Sequence, residues 1–98
     1  MAFKPIAVTK EIDGVEYTAQ FNGAMAMYRA TDAEGGNAGL VEYLFNNVIV
    51  EPKITDVDEY FGVNVETMGK VVEFAGKVMR ADPEYFPPAN ESATAKKR

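Results

Sequence analysis

The apolar positions of this chain change period along its length, and the changes mark out its elements. In residues 6–21 they alternate. Ile6 and Val8 are interleaved with Ala7 and Thr9, and Val15, Tyr17 and Ala19 with Glu16, Thr18 and Gln20. Period two is the pattern of a strand with one buried face. Between the runs lies Asp13-Gly14, a dipeptide suited to the positive φ angles of a two-residue type I′ turn. The pattern therefore predicts a β-hairpin with strands at residues 6–12 and 15–21. A hairpin alone is marginal in water, so this one requires a helix, or another subunit's sheet, against its apolar face.

Beyond Asn22 the period becomes helical. Asn22 is a candidate N-cap for a short helix over residues 23–31, with Met25 and Tyr28 on one face, weakened by up to ~1 kcal/mol by Gly23 in its first turn. Residues 31–37, rich in turn formers, predict a surface loop. Residues 40–53, LVEYLFNNVIVEPK, hold the densest apolar run. At helical spacing Leu40, Leu44 and Val48 form one row and Val41, Phe45 and Ile49 the next, which predicts a core helix that Pro52 stops near Val50 or Glu51. The run is shorter than the roughly 18 apolar residues of a membrane span and contains Glu42.

Residues 54–62 predict one or two helical turns, capped by Thr55, favoured by Asp56 and Asp58 near the start and ended by Gly62. Asn64 opens the clearest helix, residues 65–80. Val65, Met68, Val72, Ala75 and Met79 make its apolar stripe, widened by Val71 and Val78. Glu66 with Lys70 and Glu73 with Lys77 are i, i+4 pairs, each worth about 0.2–0.5 kcal/mol, on a solvated face. Asp82-Pro83 ends the helix, and Tyr85 and Phe86 are the last apolar anchors, placed to fold back on the body or to meet a partner. After Pro87-Pro88, residues 89–98 lack any large apolar side chain to offset their ordering entropy and are expected to be a disordered tail.

The elements add up to an α+β fold: an N-terminal β-hairpin followed by three to four α-helices in one small domain, residues 1–88. Leu44, Phe45, Val48, Val72 and Met79 are expected to share its core.

Composition narrows the function classes. A chain of 98 residues with 47% hydrophobic and 26% charged residues suits one globular domain. Its net charge of −5 opposes binding to a polyanion, so no nucleic-acid partner is expected, and Lys96-Lys97-Arg98 reads as a solvated basic end. Residues 1–8, MAFKPIAV, lack the apolar run of a secretory leader, so synthesis in the cytoplasm is expected. There is no cysteine and no histidine, which removes thiol chemistry, the usual general base and the commonest transition-metal ligand together. Gly35-Gly36 lacks the Gly-Lys-Ser/Thr that a phosphate loop needs, and Asp56, Asp58 and Glu59 lack the spacing of a calcium loop. No catalytic, cofactor or metal residues are assigned. The candidate interaction residues are Tyr28, Met68, Met79, Tyr85 and Phe86; for the two methionines the alternative reading is plain gap-filling in the core.

Three stretches carry a family resemblance: Asp13-Gly14-Val15-Glu16-Tyr17-Thr18-Ala19-Gln20-Phe21-Asn22, Asn47-Val48-Ile49-Val50-Glu51-Pro52-Lys53, and Met68-Gly69-Lys70-Val71-Val72-Glu73-Phe74-Ala75. Together they resemble the tail assembly chaperones of long, flexible-tailed bacteriophages of Gram-positive bacteria, over residues 6–80. The resemblance implies a small acidic protein of the host cytoplasm that self-associates and keeps the tape measure protein soluble until tail tube protein polymerises around it. It also implies absence from the mature virion. Many members have a longer, frameshifted form, and Lys96-Lys97 would suit a slippery A-rich codon run. The alternative on the same scale is a small structural virion protein, a head–tail connector or tail completion protein. A regulatory or inhibitor module unrelated to phage is a third class.

Overall fold

The computed structural model describes residues 4–32 and 36–86. Strands β1 (Ile6–Ile12) and β2 (Val15–Phe21) form the expected hairpin, in the register Ile12↔Val15, Lys10↔Tyr17 and Ile6↔Phe21. Asp13 and Gly14 have φ of 52° and 87°, the paired positive angles of a type I′ turn. Alternation sends Tyr17 and Ala19 inward, where both are buried, and leaves Thr9 and Thr18 outside with their hydroxyls 2.8 Å apart.

The dense apolar run departs from the single helix expected of it. Helix α2 covers Gly36–Tyr43, beginning inside the predicted loop. A π-helical turn follows at Leu44–Val48, and the chain then straightens into a third strand, β3 (Ile49–Glu51), antiparallel to β2. The sheet order is β1-β2-β3, with Ala19 opposite Ile49 and a register irregularity before Thr18 opposite Glu51. Two causes act here. The second edge of β2 has backbone groups that need partners, and Val48-Ile49-Val50 is a β-branched triplet that fits a pleated surface better than a helix. Ile49 is fully buried in its strand position. The Glu51-Pro52 peptide is cis.

Two caps also differ from expectation. Helix α1 is Ala26–Thr31, and Gly23, with φ of 113°, lies outside it. Asn22 does not cap α1. Its Nδ2 donates to the Asn47 carbonyl oxygen at 3.0 Å, tying the end of β2 to the π turn, and its Oδ1 accepts from Gln20 Nε2 at 2.7 Å. Helix α3 (Val57–Phe61) is capped by Asp56, whose Oδ1 accepts from the Glu59 amide at 3.1 Å, one residue later than the Thr55 expected. Gly62 ends it with φ of 60°.

Helix α4 (Val65–Met79) lies across β2 and the π turn and closes the core. Its buried arc is rotated from the stripe read in the sequence and centres on Thr67, Val71, Phe74 and Val78, with Ala75 and Met79 beside them. Val72 and Met68 are half-buried against the core, and Val65 is 70% exposed. Phe74, the largest apolar side chain on the helix, sets this rotation by taking the centre of the buried face. Leu44, Phe45, Val48 and Met79 are in the core as expected. After α4, Ala81 turns with φ of 56° and the chain folds back: Tyr85 meets Phe74 edge-on at 5.5 Å, and Phe86 lies over Phe21 at 5.4 Å. The expected disordered tail, residues 89–98, falls outside the described residues.

Phe45 is buried from the π turn and packs on Phe61 at 5.7 Å between ring centroids. Phe45→Ala is expected to cost about 3–5 kcal/mol, a large part of the roughly 5–15 kcal/mol typical of a domain's total stability, measured as a lower urea midpoint at unchanged slope.

Candidate functional site

Two clefts flank α4, and their charges are arranged in opposite ways. The first, about 260 Å³, lies between the hairpin end and α4 and includes Lys10, Lys70 and Lys77. Three lysines would suit an anion, but each has a partner within the chain. Lys70 Nζ pairs with Asp13 Oδ1 at 3.0 Å, and Thr67 Oγ1 donates to Asp13 Oδ2. Lys77 Nζ meets Glu84 Oε1 at 3.0 Å and Glu73 Oε2 at 3.6 Å, realising one of the two predicted helix pairs. Lys10 Nζ donates to Tyr85 Oη at 3.2 Å and stands 5.8 Å from the centre of that ring.

The proton equilibria reflect these partners. The Thr67 hydroxyl, and then Lys70, hold the Asp13 carboxyl below its ordinary range. Asp13 holds the Lys70 ammonium above its own, and Lys77 and Glu84 shift one another in the same two senses. Burial, reinforced by the Tyr60 hydroxyl 3.4 Å away, pushes the Tyr17 phenol up. The cleft is thus a set of internal ties between hairpin, α4 and the returning chain.

The second cleft is larger, about 620 Å³, and lies between α2 with its π turn, the start of α3, and α4. Val41, Phe45, Val57 and Met68 supply its apolar walls, and Glu42, Asp56 and Asp58 stand around it with no lysine or arginine among the lining residues. Asp56 is placed by its capping bond and Asp58 by the first turn of α3, where a carboxylate is favoured by the helix dipole. Glu42 comes from the exposed side of α2. Among the described residues no group of three His, Cys, Asp or Glu side chains could hold a metal ion, and no buried side-chain polar atom lacks a partner. The walls therefore offer apolar area and negative charge.

Of the interaction residues read from the sequence, Met68 alone lines this second cleft. Tyr28 is 58% exposed on α1. Met79 is 7% exposed and sits in the core, as gap-filling requires. Tyr85 and Phe86 are half-buried against Phe74 and Phe21. Sequence reasoning missed Val41, Val57 and the acidic rim as a site, although the acids of α3 were visible as helix-start residues. No family model, curated protein or solved structure matches the chain. Among the described residues, no helix is long and apolar enough to cross a membrane.

The Asp13 ties predict a pH dependence of defined sign. Because the folded pKa of Asp13 lies below its ordinary 3.8, its contribution to stability is complete above that value and is lost as pH falls through the lower folded pKa. For Lys70, raised from 10.5, the contribution is complete below 10.5 and is lost as pH rises through the higher folded value. Asp13→Asn keeps a residue that tolerates positive φ while removing the charge. Thermal melts across pH are expected to show the variant less stable than the parent at neutral pH and the two converging at the acid end.

Proposed function

We propose that this protein is a non-enzymatic assembly chaperone that self-associates and shields an amphipathic helical segment of a partner in the cleft between α2, α3 and α4. The observation that carries the reading is the pairing of apolar walls, Val41, Phe45, Val57 and Met68, with an acidic rim, Glu42, Asp56 and Asp58, that has no lysine or arginine among the lining residues. A groove of that kind accepts the apolar face of a helix, and its rim selects one flanked by lysine or arginine. Met68 adds a side chain that adapts to different partner shapes. The absence of histidine and cysteine from the sequence agrees with a holding role.

Taken with the resemblance of residues 6–80, the partner is the tape measure protein of a long-tailed phage, held soluble in the host cytoplasm until tail tube protein assembles on it. The chaperone then leaves, so it is absent from the mature virion. A connector or completion protein, the alternative on this scale, would instead stay in the particle, and mass spectrometry of purified virions separates the two.

Co-expression of the chain with the tape measure protein is expected to move the latter from the insoluble to the soluble fraction. The charge reversals Glu42→Lys and Asp58→Lys together are expected to weaken that association at least tenfold in titration at low salt while leaving the fold intact by circular dichroism, since both side chains are exposed. Unchanged affinity in the double variant would remove the acidic rim from the account.

A further inference from the structure

The outer edge of β1 has the geometry of a self-complementary interface. In a hairpin closed by a two-residue type I′ turn, the flanking pair Ile12↔Val15 exchanges both backbone bonds, and the bonded pairs then recur at every second position, Lys10↔Tyr17, Val8↔Ala19 and Ile6↔Phe21. The amide and carbonyl groups of Ala7, Thr9 and Glu11 consequently point away from β2. Among the described residues no strand pairs with that edge, because the sheet ends there in the order β1-β2-β3. β1 spans seven residues with an unbroken register and has no proline inside it, and Ala7, Thr9 and Glu11 are all exposed. Native sheets usually blunt such an edge with a bulge, an internal proline, a covering loop or charged side chains, and of these the described residues of β1 carry only the charges of Lys10 and Glu11.

We propose that two copies of this chain pair antiparallel through β1, with a twofold axis at Thr9, to form a continuous six-stranded sheet. This deepens the self-association proposed above and names its surface. The register follows from the outward groups. Setting Thr9 opposite Thr9 of the second copy brings Ala7 opposite Glu11 and Glu11 opposite Ala7, so the three outward-facing residues of each strand meet as bonded pairs and supply six backbone hydrogen bonds. Sliding the register by two residues toward the N-terminus would bring Pro5, which has no amide proton, into a bonded position.

The side chains agree with this register. Ile6 faces Ile12 across the junction on the core side, Val8 faces Lys10, and no like charges stand directly opposite. Because each pair joins two odd or two even positions, the inner faces of the two hairpins stay on one side of the joined sheet. Ile6, 47% exposed in the single chain, would gain an apolar neighbour there. An extended strand of some other protein could use the same edge, but it has no reason to match the spacing of Pro5, Thr9 and Glu11 that this chain matches to itself.

The chain has no cysteine, so single introduced cysteines report the register without background. Under mild oxidation Thr9→Cys is expected to give a disulfide dimer, because residues of a bonded pair lie about 5.5 Å apart between Cα atoms, inside disulfide range. Thr18→Cys, one strand further in, is expected to stay monomeric on a non-reducing gel. Ala7→Cys alone is expected not to cross-link, but to do so when mixed with Glu11→Cys. Sedimentation equilibrium of the unmodified chain is expected to give a concentration-dependent monomer–dimer mass, and Thr9→Pro, which removes an outward amide and the exposed Thr9–Thr18 hydroxyl bond but no β1–β2 backbone bond, is expected to shift it toward monomer with the fold retained by circular dichroism. A dimer by mass in which Thr9→Cys fails to cross-link would overturn the β1 pairing and leave self-association standing. Ala7→Cys linking to itself would overturn the register. A monomer at every concentration up to hundreds of micromolar would remove both, and dimerisation only with a foreign strand present would assign the edge to another protein.

Discussion

The structure depends on β2 being satisfied on three sides at once. One edge is bonded to β1 through the type I′ turn, the other to the short β3, and its inner face, with Tyr17 and Ala19 buried, lies beneath α4. A strand in that position cannot leave a backbone group unpaired without a cost comparable to a lost hydrogen bond. The apolar run after residue 40 is shaped by this requirement. It has to provide helix, core side chains and three residues of strand in quick succession, and a widened π turn is how the chain changes from one to another while keeping Leu44, Phe45 and Val48 buried.

Much of this was legible in the sequence, for reasons that separate cleanly. The hairpin was readable to the residue because period two and Asp13-Gly14 are both local signals. Helix α4 was readable in extent because Asn64, two Glu–Lys pairs and Asp82-Pro83 frame it. Strand β3 was not, since a short apolar run fits a buried helix and a buried strand equally well, and only the open edge of β2 decides between them. The rotation of α4 was hidden for a related reason: Phe74 competes with Val72 for the core, and which one wins depends on the surface the helix meets. Asn22 looked like a cap because its partner, the Asn47 carbonyl, is remote in sequence.

The candidate cleft was the least legible part. Its walls come from Val41 and Phe45, from Val57, and from Met68, so no window of sequence contains it. Its charge is likewise a product of folding. The lysines near α4 are taken up by Asp13, Glu73, Glu84 and Tyr85 on one side of the helix, which leaves the acids on the other without basic neighbours among the lining residues. Net charge of −5 is a property of the composition, whereas its concentration around an apolar groove is a property of the arrangement.

The turn residue Asp13 also changes what the tip of the hairpin can tolerate. Exposed two-residue turns are ordinarily chosen as places to splice in a tag or to join new termini, since little but solvent surrounds them. Here the carboxylate at the tip is bonded to Thr67 and Lys70 on a helix more than fifty residues later, so the turn is also a clamp between the two ends of the domain. Lengthening it would preserve the strands and release the helix, making an exposed corner of the sheet an unsuitable place for an insertion.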